Sequence, residues 1–192
     1  MPGPVFLEGD EVTLRPVERE DMDFVQRTMN DPEVWRPALG AEPMNGELGS
    51  EFFEDVVSSE GDVHCLICDD DEPVGIVSLT RSRYGPGETS RSRDAELAYY
   101  LAPEYHGQGY GSDAAETMVA YAFEDLNLRR VSAWCGSFND GSAALLESLG
   151  FEREGRRREA SWYCGEYHDT LSYGLLRREW RDEHSAGDAH GE

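Results

Sequence analysis

The sequence contains no lysine, and all 17 basic side chains among its 192 residues are arginines. Such a chain cannot form a lysine Schiff base, hold phosphate with a P-loop lysine or use an amine side chain as a base, because arginine keeps its proton in proteins. With 40 acidic residues and a formal net charge of −23, it also lacks the clustered cations that binding along nucleic acids needs. We predict no nucleic-acid partner.

Long apolar runs are absent as well. No stretch approaches the roughly 20 residues that span a bilayer, and the N-terminal MPGPVFLEGD lacks the features of a secretion signal. We therefore expect a cytoplasmic protein without a membrane partner. The four cysteines are few for this length, and Cys65 and Cys68 fall in a strand-like segment that would point them to opposite faces. This favours buried thiols, with no disulfide framework and no metal site.

The acidity has two interpretations. It indicates either an acidic surface for a cationic partner or adaptation of the whole surface to a saline cytosol, and the complete loss of lysine favours adaptation. The charge is uneven, because residues 1–72 contain 20 acidic side chains and 4 arginines, whereas residues 73–192 contain 20 and 13. A polyanionic ligand would bind more easily in the second part.

Composition and periodicity predict one folded α+β domain over residues 8–181 and a disordered acidic tail over 182–192. Strands are predicted near residues 12–15, 63–68, 74–79, 95–101, 131–134, 151–155 and 170–176. Helices are predicted near residues 21–29, 49–58, 112–128 and 142–149. The early strands form antiparallel hairpins, and a strand–helix–strand–helix unit follows.

The most informative stretch is LAYYLAPEYHGQGYGSDAAE, residues 97–116. A strand runs into Pro103, a loop contains Gly107, Gly109 and Gly111, and a helix begins near Ser112. Such glycines let backbone N–H groups converge, and the helix N-terminus adds partial positive charge, so the unit is suited to an anion. The spacing does not fit a Rossmann fingerprint, and a P-loop needs the lysine that is absent.

This loop resembles Q/R-x-x-G-x-G/A, the pyrophosphate-binding loop of the GNAT superfamily of acetyl-CoA-dependent N-acetyltransferases. Three further segments resemble, in order, blocks of its ribosomal-protein-alanine (RimJ/RimL-like) branch: GDEVTLRPVEREDMDFVQRTMNDPEV, NDGSAALLESLGFEREG and GEYHDTLSYGLLRREW. Together with the acidity, this suggests a member from a salt-adapted organism. The resemblance implies an αβα GNAT fold: a mixed, mostly antiparallel sheet of six to seven strands with a V-shaped splay between two central parallel strands, and about four helices.

The resemblance also implies acetyl-CoA as co-substrate, without a metal. The amides of Gln108 to Ser112 would hold the pyrophosphate, the strand Tyr99 to Leu101 would pair with the pantetheine arm, and Asn139 would bind the pantetheine or acetyl end. The first loop position, usually Gln or Arg, is His106 here. The expected cofactor contacts are therefore Tyr99, Tyr100, Leu101, His106, Gly107, Gln108, Gly109, Tyr110, Gly111, Ser112 and Asn139.

Amide formation needs a group that accepts the amine proton and a group that stabilises the leaving thiolate. The resemblance implies Glu96 as the general base, acting through water, although an outward-facing strand carboxylate is the alternative. The tyrosine acid of many relatives would fall at Leu146. Ser142 is common at its position in this branch and could donate to the sulfur instead, or it is an ordinary residue of a first helical turn.

An amine acceptor needs a pocket, and its candidate lining residues are Trp35, Tyr84 and Trp162, unless they are ordinary half-buried aromatics. We predict an enzyme, monomeric or homodimeric, whose preferred acceptor is a protein N-terminal α-amine. Deprotonating such an amine at neutral pH costs roughly 3.5 kcal/mol less than deprotonating lysine. The alternatives are a small-molecule amine as acceptor and, from another class, a non-catalytic CoA-binding protein.

Overall fold

A single eight-stranded sheet organises the chain in the order β1-β2-β3-β4-β5-β6-β8-β7. The computed structural model describes residues 2–38, 42–81 and 93–188. The strands are β1 (Leu7–Glu8), β2 (Thr13–Pro16), β3 (Val63–Asp69), β4 (Glu72–Arg81), β5 (Asp94–Leu101), β6 (Arg130–Gly136), β7 (Glu152–Tyr163) and β8 (Glu166–Leu176). All neighbouring strands are antiparallel except β5 and β6.

Six α-helices occur in the described residues. They are α1 (Met22–Met29), α2 (Pro32–Trp35), α3 (Gly46–Phe52), α4 (Tyr110–Glu124), α5 (Asp140–Ser148) and α6 (Arg177–Asp188). A π-helical turn over Phe53–Val57 continues α3. The predicted α+β fold with its mixed sheet is confirmed. The additional strand β1 has two residues and α2 has four, which is too short for a periodic hydrophobic pattern.

The segment predicted as a disordered tail is helical as far as Asp188, and residues 189–192 lie outside the described chain. Trp180 explains the start of α6, because it is buried and its ring packs 6.1 Å from the ring of Phe123 on α4. The residues that follow contain no proline and include the good helix formers Arg181, Glu183 and Ala186. The helix therefore continues beyond its anchor.

The sheet has a hydrophobic cluster on each face. The larger cluster includes the buried side of α4, from Ala114 to Phe123, and the smaller one includes Phe24 and Val25 of α1. Cys65 belongs to the first cluster and Cys68 to the second, as the strand pattern predicts. Both thiols are free and buried.

The parallel pair β5 and β6 is joined over only three register positions, the last being Glu96 opposite Ser132. Beyond this point the strands part, as the predicted V-shaped splay requires. β5 stays paired to β4 as far as Leu101, and β6 stays paired to β8 as far as Gly136. The edges that face each other across the splay are therefore free to bind a ligand.

Candidate active site

A cavity of about 790 Å³ occupies the splay, a volume typical of small-molecule sites. Residues 97–101 of β5 form one wall, and Ala133, Trp134 and Cys135 of β6 form the other. Gly111 and Ser112 at the start of α4 and residues along α5 also line the cavity, as do Glu33, Val34, Pro37 and Ala38. The cavity thus joins the predicted cofactor loop to the point where the strands separate.

The glycine loop before α4 has the backbone that an anion cradle needs. Gly107 and Gly109 have φ values of 73° and 91°, a left-handed conformation that glycine adopts without strain. A Cβ atom at either position would find no other atom within 4 Å. Both residues line the cavity, and the first amides of a helix have no acceptor within it. This is the geometry expected of a pyrophosphate site, and it fits the diphosphate of CoA.

Three side chains of this loop form hydrogen bonds with other residues of the chain. His106 Nε2 is 3.1 Å from the carbonyl of Leu101, Gln108 donates to the carbonyl of Glu104, and the Tyr110 hydroxyl donates to Asp69. Gln108 and Tyr110 do not line the cavity within the described chain. The amide of Ser112 donates to the carbonyl of Gly109 at 3.0 Å, and so helps to close the first turn of α4. The cradle consequently depends on backbone amides before Ser112.

Asp113 is a residue that the sequence analysis missed. Its carboxylate accepts three backbone N–H groups, from Asp10, Glu11 and Val12, at 2.9, 2.7 and 2.8 Å. The bonds tie the turn between β1 and β2 to the first turns of α4. Gly9 permits this contact, because a Cβ atom there would lie 2.6 Å from the carboxylate. Its partners are about 100 residues away, so no local sequence signal marks it.

Glu96 lies where β5 and β6 part, and it lines the cavity. Its Oε1 accepts a hydrogen bond of 3.0 Å from the indole Nε1 of Trp134 on β6. Trp134 also lines the cavity and is 43% exposed. The expected base therefore has a fixed neighbour, a tryptophan that the sequence analysis did not single out.

Ser142 and Asn139 lie together at the start of α5, and both line the cavity. The Asn139 side-chain oxygen caps the helix by accepting the Ser142 amide at 3.1 Å. The Ser142 hydroxyl is 2.8 Å from the hydroxyl of Tyr99 on β5. Burial raises the pKa of Tyr99 to about 12, although this hydrogen bond acts in the opposite direction. The phenol of Tyr99 is therefore neutral at physiological pH.

Comparison with known proteins assigns the family. Residues 11–152 match the family described as "Acetyltransferase (GNAT) domain". The chain belongs to the GNAT acetyltransferase family.

Among relatives of this GNAT protein, the spermidine N(1)-acetyltransferase of Escherichia coli K12 is 27% identical over 175 residues, 90% of each chain. The provisionally named ribosomal N-acetyltransferase YdaF of Bacillus subtilis is 39% identical over 92 residues, which span 48% of this chain and about half of YdaF. The spermidine N-acetyltransferase of Vibrio cholerae, solved with CoA and spermine, has the same fold, with a TM-score of 0.78 at 24% identity over 88% of this chain and 98% of that one.

The GNAT chain is thus an acetyl-CoA-dependent N-acetyltransferase, and the predicted fold, enzyme class and co-substrate are confirmed. The described residues hold no cluster of His, Cys, Asp and Glu suited to a metal. Within the same residues, no helix combines the length and apolarity that crossing a membrane requires.

The predicted acceptor-pocket aromatics are not brought together. In the described part of the chain, neither Trp35 nor Trp162 lines the cavity. Trp162 is 58% exposed at the end of the β7–β8 hairpin, where it packs edge-on against Tyr167. Tyr84 lies outside the described residues. The cavity instead receives Val34 beside Trp35 and the indole of Trp134.

Proposed function

We propose that this N-acetyltransferase acetylates a small polycationic amine of the polyamine type. Glu33 and Glu96 are the formally charged side chains among the described residues that line the cavity, and no arginine joins them. Two carboxylates attract ammonium groups and disfavour acceptors that carry a carboxylate close to the reacting amine. This pair of carboxylates is the observation that carries the proposal.

Two further observations support a cationic acceptor. The half-exposed indole of Trp134 stands beside Glu96, and an indole face attracts ammonium groups by cation–π interaction. The E. coli relative, which matches along nearly the whole chain, is named a spermidine acetyltransferase. A small-molecule amine therefore replaces the protein N-terminus as the preferred acceptor.

In the proposed reaction, the amides at the glycine loop hold the pyrophosphate of acetyl-CoA, and the free edges of β5 and β6 flank its pantetheine arm. The thioester supplies the activated acetyl group. Glu96 accepts the proton that the amine loses as it attacks, and Ser142 donates a hydrogen bond to the leaving sulfur. The NH₂ group of Asn139 remains for the pantetheine or acetyl end, since its oxygen caps α5.

A protein N-terminal α-amine is the second candidate acceptor. It is favoured by the 39% identity to YdaF over 92 residues and by the lower cost of deprotonating an α-amine. The partial coverage of YdaF gives this candidate the smaller weight.

Release of free thiol from acetyl-CoA separates the two candidates. The panel comprises spermidine, spermine, free amino acids and peptides with free or acetylated N-termini. We expect polyamines to give the highest kcat/KM and Glu33→Gln to raise KM for them several-fold. Peptides with free N-termini outperforming polyamines would overturn the proposal in favour of the second candidate.

The salt-adapted origin is part of the same proposal. The net charge of −23 and the absence of lysine fit a surface that stays hydrated in concentrated salt. We expect activity and folding to persist in multimolar KCl. A protein that is most active and most stable in dilute buffer would contradict this part alone.

A further inference from the structure

The side chains of Tyr99 and Ser142 form a hydrogen-bonded pair across the wall of the cavity. Tyr99 lies on β5 and Ser142 in the first turn of α5, and the 2.8 Å contact between their hydroxyls joins residues 43 positions apart. Both residues line the cavity. The sequence resemblance implies only a backbone role for Tyr99, so its phenol has no assigned task.

Hydrogen-bonding capacity decides which hydroxyl donates. Tyr99 has no second hydrogen-bond partner in the described chain, and a buried phenol normally donates its proton. With Tyr99 as the donor, the Ser142 oxygen accepts and its own proton is free for a sulfur acceptor.

We propose that Tyr99 is a positioning residue, which donates to Ser142 so that the Ser142 hydroxyl presents its proton to the sulfur of the departing CoA. The proposal rests on the proposed function. As the N–C bond forms, the C–S bond breaks and its electron pair moves to sulfur, while the amine proton passes to Glu96. The hydrogen bond from Ser142 holds the resulting thiolate until it takes a proton from solvent.

The Tyr99–Ser142 pair stabilises the negative charge of the CoA thiolate by hydrogen bonding, without transferring a proton to it. A thiol has a pKa of roughly 8.5, so transfer of the far less acidic Tyr99 proton to a thiolate is unfavourable. The first turn of α5 adds its partial positive charge at the same place. Donation that polarises a second hydroxyl strengthens the second bond, particularly where water is excluded.

The titratable groups around the pair do not compete for the negative charge. Burial, together with the nearby Glu147 carboxylate, raises the pKa of Cys135, so this thiol stays protonated. Tyr173 on β8 donates to Glu147, and burial raises its pKa to about 12. Glu147 is the charged group among these described neighbours. Its repulsion makes the hydrogen bond from Ser142 more necessary for a thiolate in this region.

The direct test measures binding and needs no acceptor. Calorimetry from pH 7 to 9 compares CoA with desulfo-CoA, which lacks the sulfur. We expect the affinity for CoA to rise with pH relative to desulfo-CoA, because the site favours the thiolate. Tyr99→Phe and Ser142→Ala should each reduce this preference by roughly three- to tenfold. Tyr121→Phe is the control, since it also removes a phenol whose pKa burial raises, but one that lies on α4 outside the described lining of the cavity, and it should keep the preference.

The kinetic test uses a double-variant cycle. Tyr99→Phe should lower kcat about fivefold with little change in KM for acetyl-CoA, and should add nothing in the Ser142→Ala background. Equal losses in both backgrounds, or unchanged kcat together with unchanged thiolate preference, would overturn the proposal. If Tyr99→Phe fails to fold, 3-fluorotyrosine at position 99 tests the same pair, because fluorine makes the phenol a stronger donor without removing it, and an unchanged thiolate preference would overturn the proposal. A wild type that prefers the CoA thiolate but acetylates no amine overturns the acceptor assignment and leaves the pair intact.

Discussion

The indole N–H of Trp134 donates to the Glu96 carboxylate across the point where β5 and β6 separate, at 3.0 Å. The bond joins residues 38 positions apart on the two parallel strands. It restricts the Glu96 side chain to the mouth of the splay and leaves the second carboxylate oxygen available. A general base must be held within hydrogen-bond reach of the proton that it accepts, and Trp134 provides this restraint.

Trp134→Phe should therefore lower kcat. The substitution keeps an aromatic ring beside the acceptor but removes the N–H that orients Glu96, so we expect a loss of roughly tenfold to a hundredfold, the value of one hydrogen bond to a charged group. Because the phenyl ring retains part of the cation–π attraction, KM for a polyamine should change less than kcat. Initial-rate kinetics across pH 6 to 9 measure both constants.

Glu96→Gln provides the reference for Trp134→Phe. Glutamine keeps an oxygen that accepts from Trp134 but cannot act as a base. The kcat of the Glu96→Gln enzyme should therefore fall further than the kcat of the Trp134→Phe enzyme. The double variant should resemble Glu96→Gln alone. A Glu96→Gln enzyme with full activity at every pH would remove Glu96 from the mechanism, and additive losses would assign Trp134 a separate role.

The glycine loop can be predicted from the sequence, whereas the side-chain contacts around the cavity cannot. Gly107 and Gly109 mark the cradle because positive φ is a property of the local backbone. The contact of Trp134 with Glu96 and the contact of Tyr99 with Ser142 are not predictable in this way. They depend on how far two strands separate and where a helix docks, which no local pattern encodes.

Gly109→Asp should abolish measurable binding of acetyl-CoA. The new carboxylate would enter the open side of the cradle, where glycine leaves room, and would repel the pyrophosphate. Calorimetric titration should therefore show at least a hundredfold loss of affinity.

Gly165→Asp is the matched control for Gly109→Asp, because both place a side chain on a backbone with positive φ. Gly165 has φ 93° against 91° for Gly109, its Cβ position is equally open, and it lies in the turn between β7 and β8. Both variants should lose similar stability, but Gly165→Asp should bind acetyl-CoA normally. Equal loss of binding in both variants would point to a general folding defect and remove the cradle assignment.

Cysteine labelling should distinguish one thiol from three. Cys164 is exposed, whereas Cys65, Cys68 and Cys135 are buried. Burial raises the pKa of Cys65 to about 12 and that of Cys68 to about 11, so neither forms an appreciable amount of the reactive thiolate at pH 8. Iodoacetamide should modify one thiol in the native protein and four in urea, as counted by mass spectrometry. Cys164→Ser should leave no fast-reacting thiol, and rapid labelling of Cys135 would contradict the burial of its side chain.

His64 on β3 should make stability fall in mild acid. Its Nε2 is buried without a hydrogen-bond partner in the described chain, and burial lowers its pKa despite the opposing effect of Asp62. As pH falls below about 6.5, the unfolded chain takes up the proton first, so stability is lost from there down to the folded-state pKa. Urea unfolding from pH 7.5 to 5 should show His64→Gln losing less free energy of unfolding than wild type over this range. The slopes of unfolding free energy against pH for the two proteins cannot differ by more than about 1.4 kcal/mol per pH unit, the value for one proton. Parallel curves for the two proteins would assign the acid sensitivity to other groups.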